Sequence, residues 1–168
     1  MGNVGVICCG ADGQAKSTLA KELGIRLGER VIHYDPPRPG TTDFFEEYTR
    51  HLDRGDRPVF DRNYLSETVY GPLFRGVSGV TLEIQKRIER EYARRGYCLV
   101  LCDSDDYCKY IKPGRKEMYD AEGIERARQG FKAAFATVEL PKLIVNAFDQ
   151  DQALTAIFGM LAHILRAG

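Results

Sequence analysis

The stretch Cys9-Gly10-Ala11-Asp12-Gly13-Gln14-Ala15-Lys16-Ser17-Thr18 decides how the rest of the chain is read. Before it lies Val4-Gly5-Val6-Ile7-Cys8, a short apolar run that reads as a buried strand. After it comes Leu19-Ala20-Lys21-Glu22-Leu23, which reads as the start of a helix. Strand, glycine-bearing loop and helix together are the setting of a phosphate-binding loop. In such a loop backbone N–H groups, Gly10 to Thr18 here, converge on phosphate oxygens, and the helix N-terminus adds its partial positive charge. Lys16 is placed to neutralise β- and γ-phosphates, and the Ser17 hydroxyl to ligate Mg²⁺. The pattern G-x-x-x-x-G-K-[ST] is met at Gly10, Lys16 and Ser17, with Ala15 standing where the second glycine belongs.

Composition narrows the classes around this motif. A chain of 168 residues suits one domain with a sizeable core. Twenty-four basic residues balance 24 acidic ones, so there is no global electrostatic case for a nucleic acid or a membrane surface. Five cysteines form no Cys-x-x-Cys pair, which argues against structural zinc. Cys8 and Cys9 read as buried thiols of a reducing cytoplasm rather than half-cystines. No apolar run is long enough to cross a bilayer, and a strand starting almost at once leaves no room for a signal peptide.

Further strands are expected at Val31–Tyr34, Pro58–Phe60, Tyr97–Cys102 and Leu143–Val145, separated by helical patterns. Five apolar strands alternating with helices predict an α/β sandwich with a parallel sheet buried on both faces. Capping pairs Asp43/Glu46 and Asp149/Gln152 open two of the helices, and Ser66 is placed to cap a third. Asp103, Asp105 and Asp106 read as helix caps after strand four, and Lys86–Glu91 as a charged solvent face.

In a parallel sheet the ligand lies beyond the carboxyl ends of the strands. Three clusters fall there: the phosphate loop, His33 to Pro37 after strand two, and Asp61-Arg62 after strand three. An Asp at such a strand tip can hold Mg²⁺ or take a hydroxyl proton, and the Arg beside it can grip a phosphate in its fork. Tyr64 and Tyr70 offer faces for a base, and His33 borders the same side. Tyr70 fits the core equally well, between Val69 and Leu73.

With Gly10-Ala11-Asp12-Gly13, Lys16-Ser17-Thr18, Asp61-Arg62, Tyr64, Ser66, Tyr70 and a basic loop at Arg115, the chain resembles the thymidylate kinase-like branch of P-loop nucleoside and nucleotide kinases, phage members included. The resemblance implies a three-layer fold with strand order 2-3-1-4-5 and ATP with Mg²⁺ as donor. It also implies that Asp12 approaches the acceptor sugar, that Asp61 serves metal or hydroxyl, and that Arg62 holds the acceptor. Arg115, with Lys112 and Lys116, would close over the transferring group, and Asn146-Ala147-Phe148 would border adenine. The expected acceptor is a pyrimidine deoxynucleotide or nucleoside. The alternative it suggests is the hydroxymethyl group of a modified uracil in DNA, with His51, Arg54 and Arg57 or Arg94-Arg95 as a local track. A third reading is a non-catalytic nucleotide-binding protein, motivated by Ala15. A homodimer is left open.

Overall fold

The computed structural model describes residues 4–52, 56–105 and 121–167. Five strands, β1 (Gly5–Cys9), β2 (Val31–His33), β3 (Val59–Asp61), β4 (Tyr97–Cys102) and β5 (Lys142–Val145), form one parallel sheet in the order β2-β3-β1-β4-β5. Among the described residues, helices α1 (Lys16–Leu27), α2 (Phe44–Thr49), α3 (Tyr64–Arg75), α4 (Leu82–Arg94) and α5 (Ala121–Ala136) lie between the strands, and α6 (Gln150–Ala167) follows β5. The expected α/β sandwich and its strand order are both present.

The side-chain alternation of the central strands divides the interior in two. Val6, Cys8, Val100 and Cys102 face Leu19 and Leu23 of α1 and Leu154 and Ile157 of α6. Ile7, Cys9, Leu99 and Leu101 face the other way, towards Tyr64 and Leu65 of α3, Ile88 and Tyr92 of α4, and Phe131 of α5. Both faces are therefore covered, and β1 and β4 are buried at every position.

Several local expectations are corrected. Asn63, not Ser66, caps α3, its side chain accepting from the Tyr64 N–H at 2.5 Å, so the helix starts three residues earlier. Asp103 and Asp105 receive the Arg128 guanidinium from α5, and the segment they were expected to cap lies outside the described residues. Asp106 lies outside the described residues. Within the expected solvent face of α4, Glu89 is buried and accepts from the Tyr64 hydroxyl, the Gln85 amide and the Glu139 N–H. The caps at Asp43 and Asp149 stand as expected, on the N–H groups of Glu46 and Gln152.

Register places the site. Cys8 pairs with Asp61 and Asp61 with His33, so the carboxyl ends of β1, β3 and β2 finish side by side. The phosphate loop leaves β1 at that edge, and α3 leaves β3.

Candidate active site

The loop's geometry follows from its backbone. Gly10 has φ 136°, and a Cβ there would lie 2.3 Å from the Cys102 carbonyl oxygen, so only glycine lets β1 turn this close to β4. Gly13 and Ala15 are also left-handed, at φ 78° and 55°. Ala15 is the N-cap of α1 and supplies no side-chain acceptor. The first-turn N–H groups of α1 are thus left for an outside acceptor at the positive end of the helix. Ser17 and Thr18 are exposed there.

Lys16 is 5% exposed, and its ammonium donates to the Ala11 carbonyl at 2.5 Å and sits 3.9 Å from Asp12. Burial lowers its pKa, the Arg62 cation lowers it further, and Asp12 partly offsets both. A phosphate at the loop would bring the compensating charge.

At the end of β3, Asp61 is 3% exposed. Its Oδ2 is 2.9 Å from Nδ1 of His33, while the buried Oδ1 has no hydrogen-bond partner among the described residues. Arg62 follows in the left-handed region, at φ 69°, held by its N–H to the Cys8 carbonyl at 2.9 Å. A non-glycine residue there costs of order 1–2 kcal/mol, a strain typical of functional positions. The turn swings the Arg62 guanidinium onto Asp12 at 2.5 Å and to 5.8 Å from the Tyr70 ring centre. The Tyr70 hydroxyl accepts from the Asp12 N–H at 3.1 Å, closing a triangle between phosphate loop, β3 and α3.

Beyond Arg62 opens a cavity of about 260 Å³. Tyr34, Tyr48, Tyr70 and Phe74 give it aromatic walls, and Arg62, Ser66, Glu67 and Arg75 its polar groups. The expected site residues divide accordingly. Lys16, Asp12, Asp61, Arg62 and Tyr70 come together. Tyr70 is both core and cavity wall, packed edge-on to Phe131 with centroids 5.5 Å apart. Tyr64 is corrected: its ring is fully buried and its hydroxyl is given to Glu89, so no face is open to an acceptor. His33 is corrected in part, since it braces Asp61 rather than lining the cavity. Asn146 closes a turn by accepting from the Phe148 N–H at 3.1 Å. Arg115, Lys112 and Lys116 lie outside the described residues.

Tyr48, Glu67 and Arg75 were not expected. A signal for the last two exists: Glu67, Gly71 and Arg75 are four apart and share one stripe of α3, beside the stripe of Ser66, Tyr70 and Phe74.

The residues fit a magnesium ion. Ser17 and Asp61 are hard oxygen donors, and the unpartnered Asp61 Oδ1 is a buried acceptor that calls for a cation or a donor. No cluster of three or more His, Cys, Asp or Glu side chains suited to a metal occurs among the described residues.

No family model matches the sequence, and a search of the curated proteins finds no match. Solved structures do match. The YorR protein of Bacillus subtilis, in complex with phosphorylated GDP, aligns with a TM-score of 0.81 at 20% identity, covering 99% of each chain. Polyphosphate kinase 2 from Arthrobacter aurescens TC1 aligns at 0.72 and 16% identity, over 98% of this chain and 68% of that one. Deoxyadenosine kinase from M. mycoides with bound dCMP and dCDP aligns at 0.62 and 17%, over 95% and 98%. The fold is that of the P-loop kinases. At these identities the likeness carries the architecture alone, and the chemistry has to be argued from the side chains.

Proposed function

We propose that this chain is an ATP-dependent phosphotransferase that moves the γ-phosphate of ATP to a pyrimidine deoxynucleotide or nucleoside. The observation that carries the reading is the position of Arg62, which is bonded to Asp12 of the phosphate loop and also lines the cavity next to it. One guanidinium thus joins the donor side to the acceptor side. The acceptor oxygen forms the new bond to the γ-phosphorus, the bond to the β–γ bridging oxygen breaks, ADP leaves, and the acceptor's proton, if it carries one, passes to solvent.

Little covalent work falls to the protein in such a transfer; positioning and charge do most of it. Lys16 would leave the Ala11 carbonyl for the β- and γ-phosphate oxygens. The α1 amides, Gly13 and Ala15 would cradle the phosphates, with Gly10, Ser17 and Thr18 completing the loop. Mg²⁺ held by Ser17 and Asp61 would supply neutralising charge. Arg62 would bind the acceptor's phosphate, its Nε being buried and unpartnered among the described residues. Arg115 is the proposed cation from the lid side.

The pairing of the surface arginines favours a small acceptor over DNA. Arg94 and Arg95 both bond to Glu91, and Arg50 to Glu47. Cations already paired in this way release fewer counterions on meeting a polymer.

The test is a transfer screen with labelled ATP against pyrimidine deoxynucleosides, their monophosphates and DNA containing hydroxymethyluracil. Transfer to a small pyrimidine acceptor is expected, reduced by a factor on the order of 10²–10³ or more in Lys16→Ala. Transfer to DNA alone, to no acceptor, or undiminished in a folded Lys16→Ala would overturn the reading.

A further inference from the structure

The polar groups at the far end of the cavity play no part in the transfer just described. Glu67 is 3% exposed, and its Oε1 accepts from the Arg75 guanidinium and from the Gly79 N–H. Arg75 lies two turns further along α3, roughly 12 Å up the axis, and its side chain reaches back to Glu67. Only one of its nitrogens is used in that bond. Beside them the buried Ser66 hydroxyl is also unpartnered among the described residues. Buried polar groups are nearly always bonded, so the Ser66 hydroxyl asks for a ligand, while the exposed Arg75 has nitrogens free to turn towards one.

We propose that Glu67 and Arg75 read the base edge of the acceptor, with Ser66 as a further contact. This assignment rests on the acceptor site proposed above. A carboxylate only accepts and a guanidinium only donates, so the pair presents an acceptor next to donors. A nucleobase edge is the complement, a hydrogen-bond donor beside an acceptor on a flat ring. The walls suit such a ring: Tyr70 and Phe74 stack at 5.9 Å with planes 26° apart, and Tyr34 and Tyr48 lie 5.3 Å apart. The order along α3 agrees, because Arg62 stands at the phosphate-loop end and Glu67 and Arg75 follow further along the helix on the same cavity lining. Reading only the loop–helix contact, Glu67 would be a brace for Gly79. A brace would affect all bases alike, whereas a reader would not.

The test is equilibrium binding of dTMP, dCMP, dGMP and dAMP, without ATP, to the full chain, to Glu67→Gln and to Arg75→Gln. Gln at 67 keeps an acceptor for the Gly79 N–H but adds a donor where the carboxylate had none. It should change the ratio between bases with a ring N–H (dTMP, dGMP) and those with a bare ring nitrogen (dCMP, dAMP) by about tenfold or more. Arg75→Gln, at a side chain 45% exposed, should fold and shift the same ratio even if Glu67→Gln does not fold. Affinities that fall in parallel, or a wild-type protein that binds none of the four, would overturn the assignment. Phosphate transfer is read separately. Base-dependent binding without transfer sinks the phosphotransferase reading alone, and transfer with an unmoved ratio sinks this one alone.

Discussion

Ala15 is the residue at which the phosphate loop departs from its pattern, and its backbone shows why the pattern asks for glycine. It holds φ 55° and ψ 17°, a left-handed conformation that costs an alanine roughly 1–2 kcal/mol and glycine almost nothing. Ala15→Gly should relieve that strain while giving back about 0.5–1 kcal/mol in chain entropy. Stability within about 1 kcal/mol of wild type and undiminished ATP affinity are therefore expected from denaturation and nucleotide titration. A folded variant unable to bind ATP would reveal a contact of the Ala15 methyl group. Arg62 carries the second prediction at this scale. Lysine can occupy φ 69° as well as arginine, but it cannot span Asp12 and an acceptor phosphate with a planar fork. Arg62→Lys should raise the KM of a nucleotide acceptor and lower kcat, costing roughly ten- to a hundredfold in kcat/KM, with ATP affinity little changed. Unchanged kinetics on a monophosphate would remove the role given to Arg62. That these residues would lie together was legible because Gly10, Lys16, Ser17 and Asp61-Arg62 have tight local spacing. Tyr64 was misread because an Asp-Arg-x-Tyr order says nothing of rotation about α3. Capping by Asn63 turns that ring inward to Glu89.

Among the elements, α3 does most to join the two halves of the site. Its first turn follows Arg62 directly, its middle carries Tyr70 and its last turn Arg75. Gly71 lets it do so. A Cβ there would lie 2.9 Å from the Val77 carbonyl oxygen, 3.0 Å from Ser78 Cα and 2.8 Å from Glu67 Oε1. The first two are backbone atoms that cannot move aside as a side chain can. Overpacking of this kind costs about 1–3 kcal/mol, and the better helix propensity of alanine returns about 1. Gly71→Ala, with two rigid backbone contacts to displace, should lower unfolding free energy by up to about 2 kcal/mol in denaturant titration. A variant as stable as wild type would show that the turn after α3 gives way freely. The central strands were legible from apolar runs, because both their faces are covered and alternation is not needed to mark them, whereas the edge strands β2 and β5 are partly exposed. The start of α3 was not, since Asn63 and Ser66 are both good caps and only the turn at Arg62 selects between them.

Across the whole molecule, the cluster of charges between α5 and the end of β4 sets a sensitivity to acid. Burial alone would raise the Asp103 pKa, but hydrogen bonds from Arg128 and Lys132 outweigh it and hold the carboxyl below its usual value. A carboxyl that is more acidic folded than unfolded stabilises the fold above its unfolded pKa, near 4. That contribution is lost as pH falls through the lower folded value. Asp103→Asn should therefore melt at a lower temperature at pH 7 and lose less stability than wild type as pH falls below about 4. Melting curves that fall in parallel for both proteins would rule this joint out as a source of acid sensitivity. The chain order could not show it, because Asp103 and Arg128 are 25 residues apart and meet only once α5 crosses back over β4. The same holds for the cavity. Tyr34 and Tyr48 precede β3 in sequence and Tyr70 follows it, and the sheet alone brings them to one wall. This wall has an optical consequence. The chain has nine tyrosines and no tryptophan, so its ultraviolet emission is a tyrosine signal without a stronger indole to drain it. Three of the nine line the cavity, and a ring slipped between them should quench part of that light. Titrating unlabelled nucleotide and watching the emission should report occupancy of the cavity directly. A signal unmoved at saturation would mean that the ligand binds away from those rings.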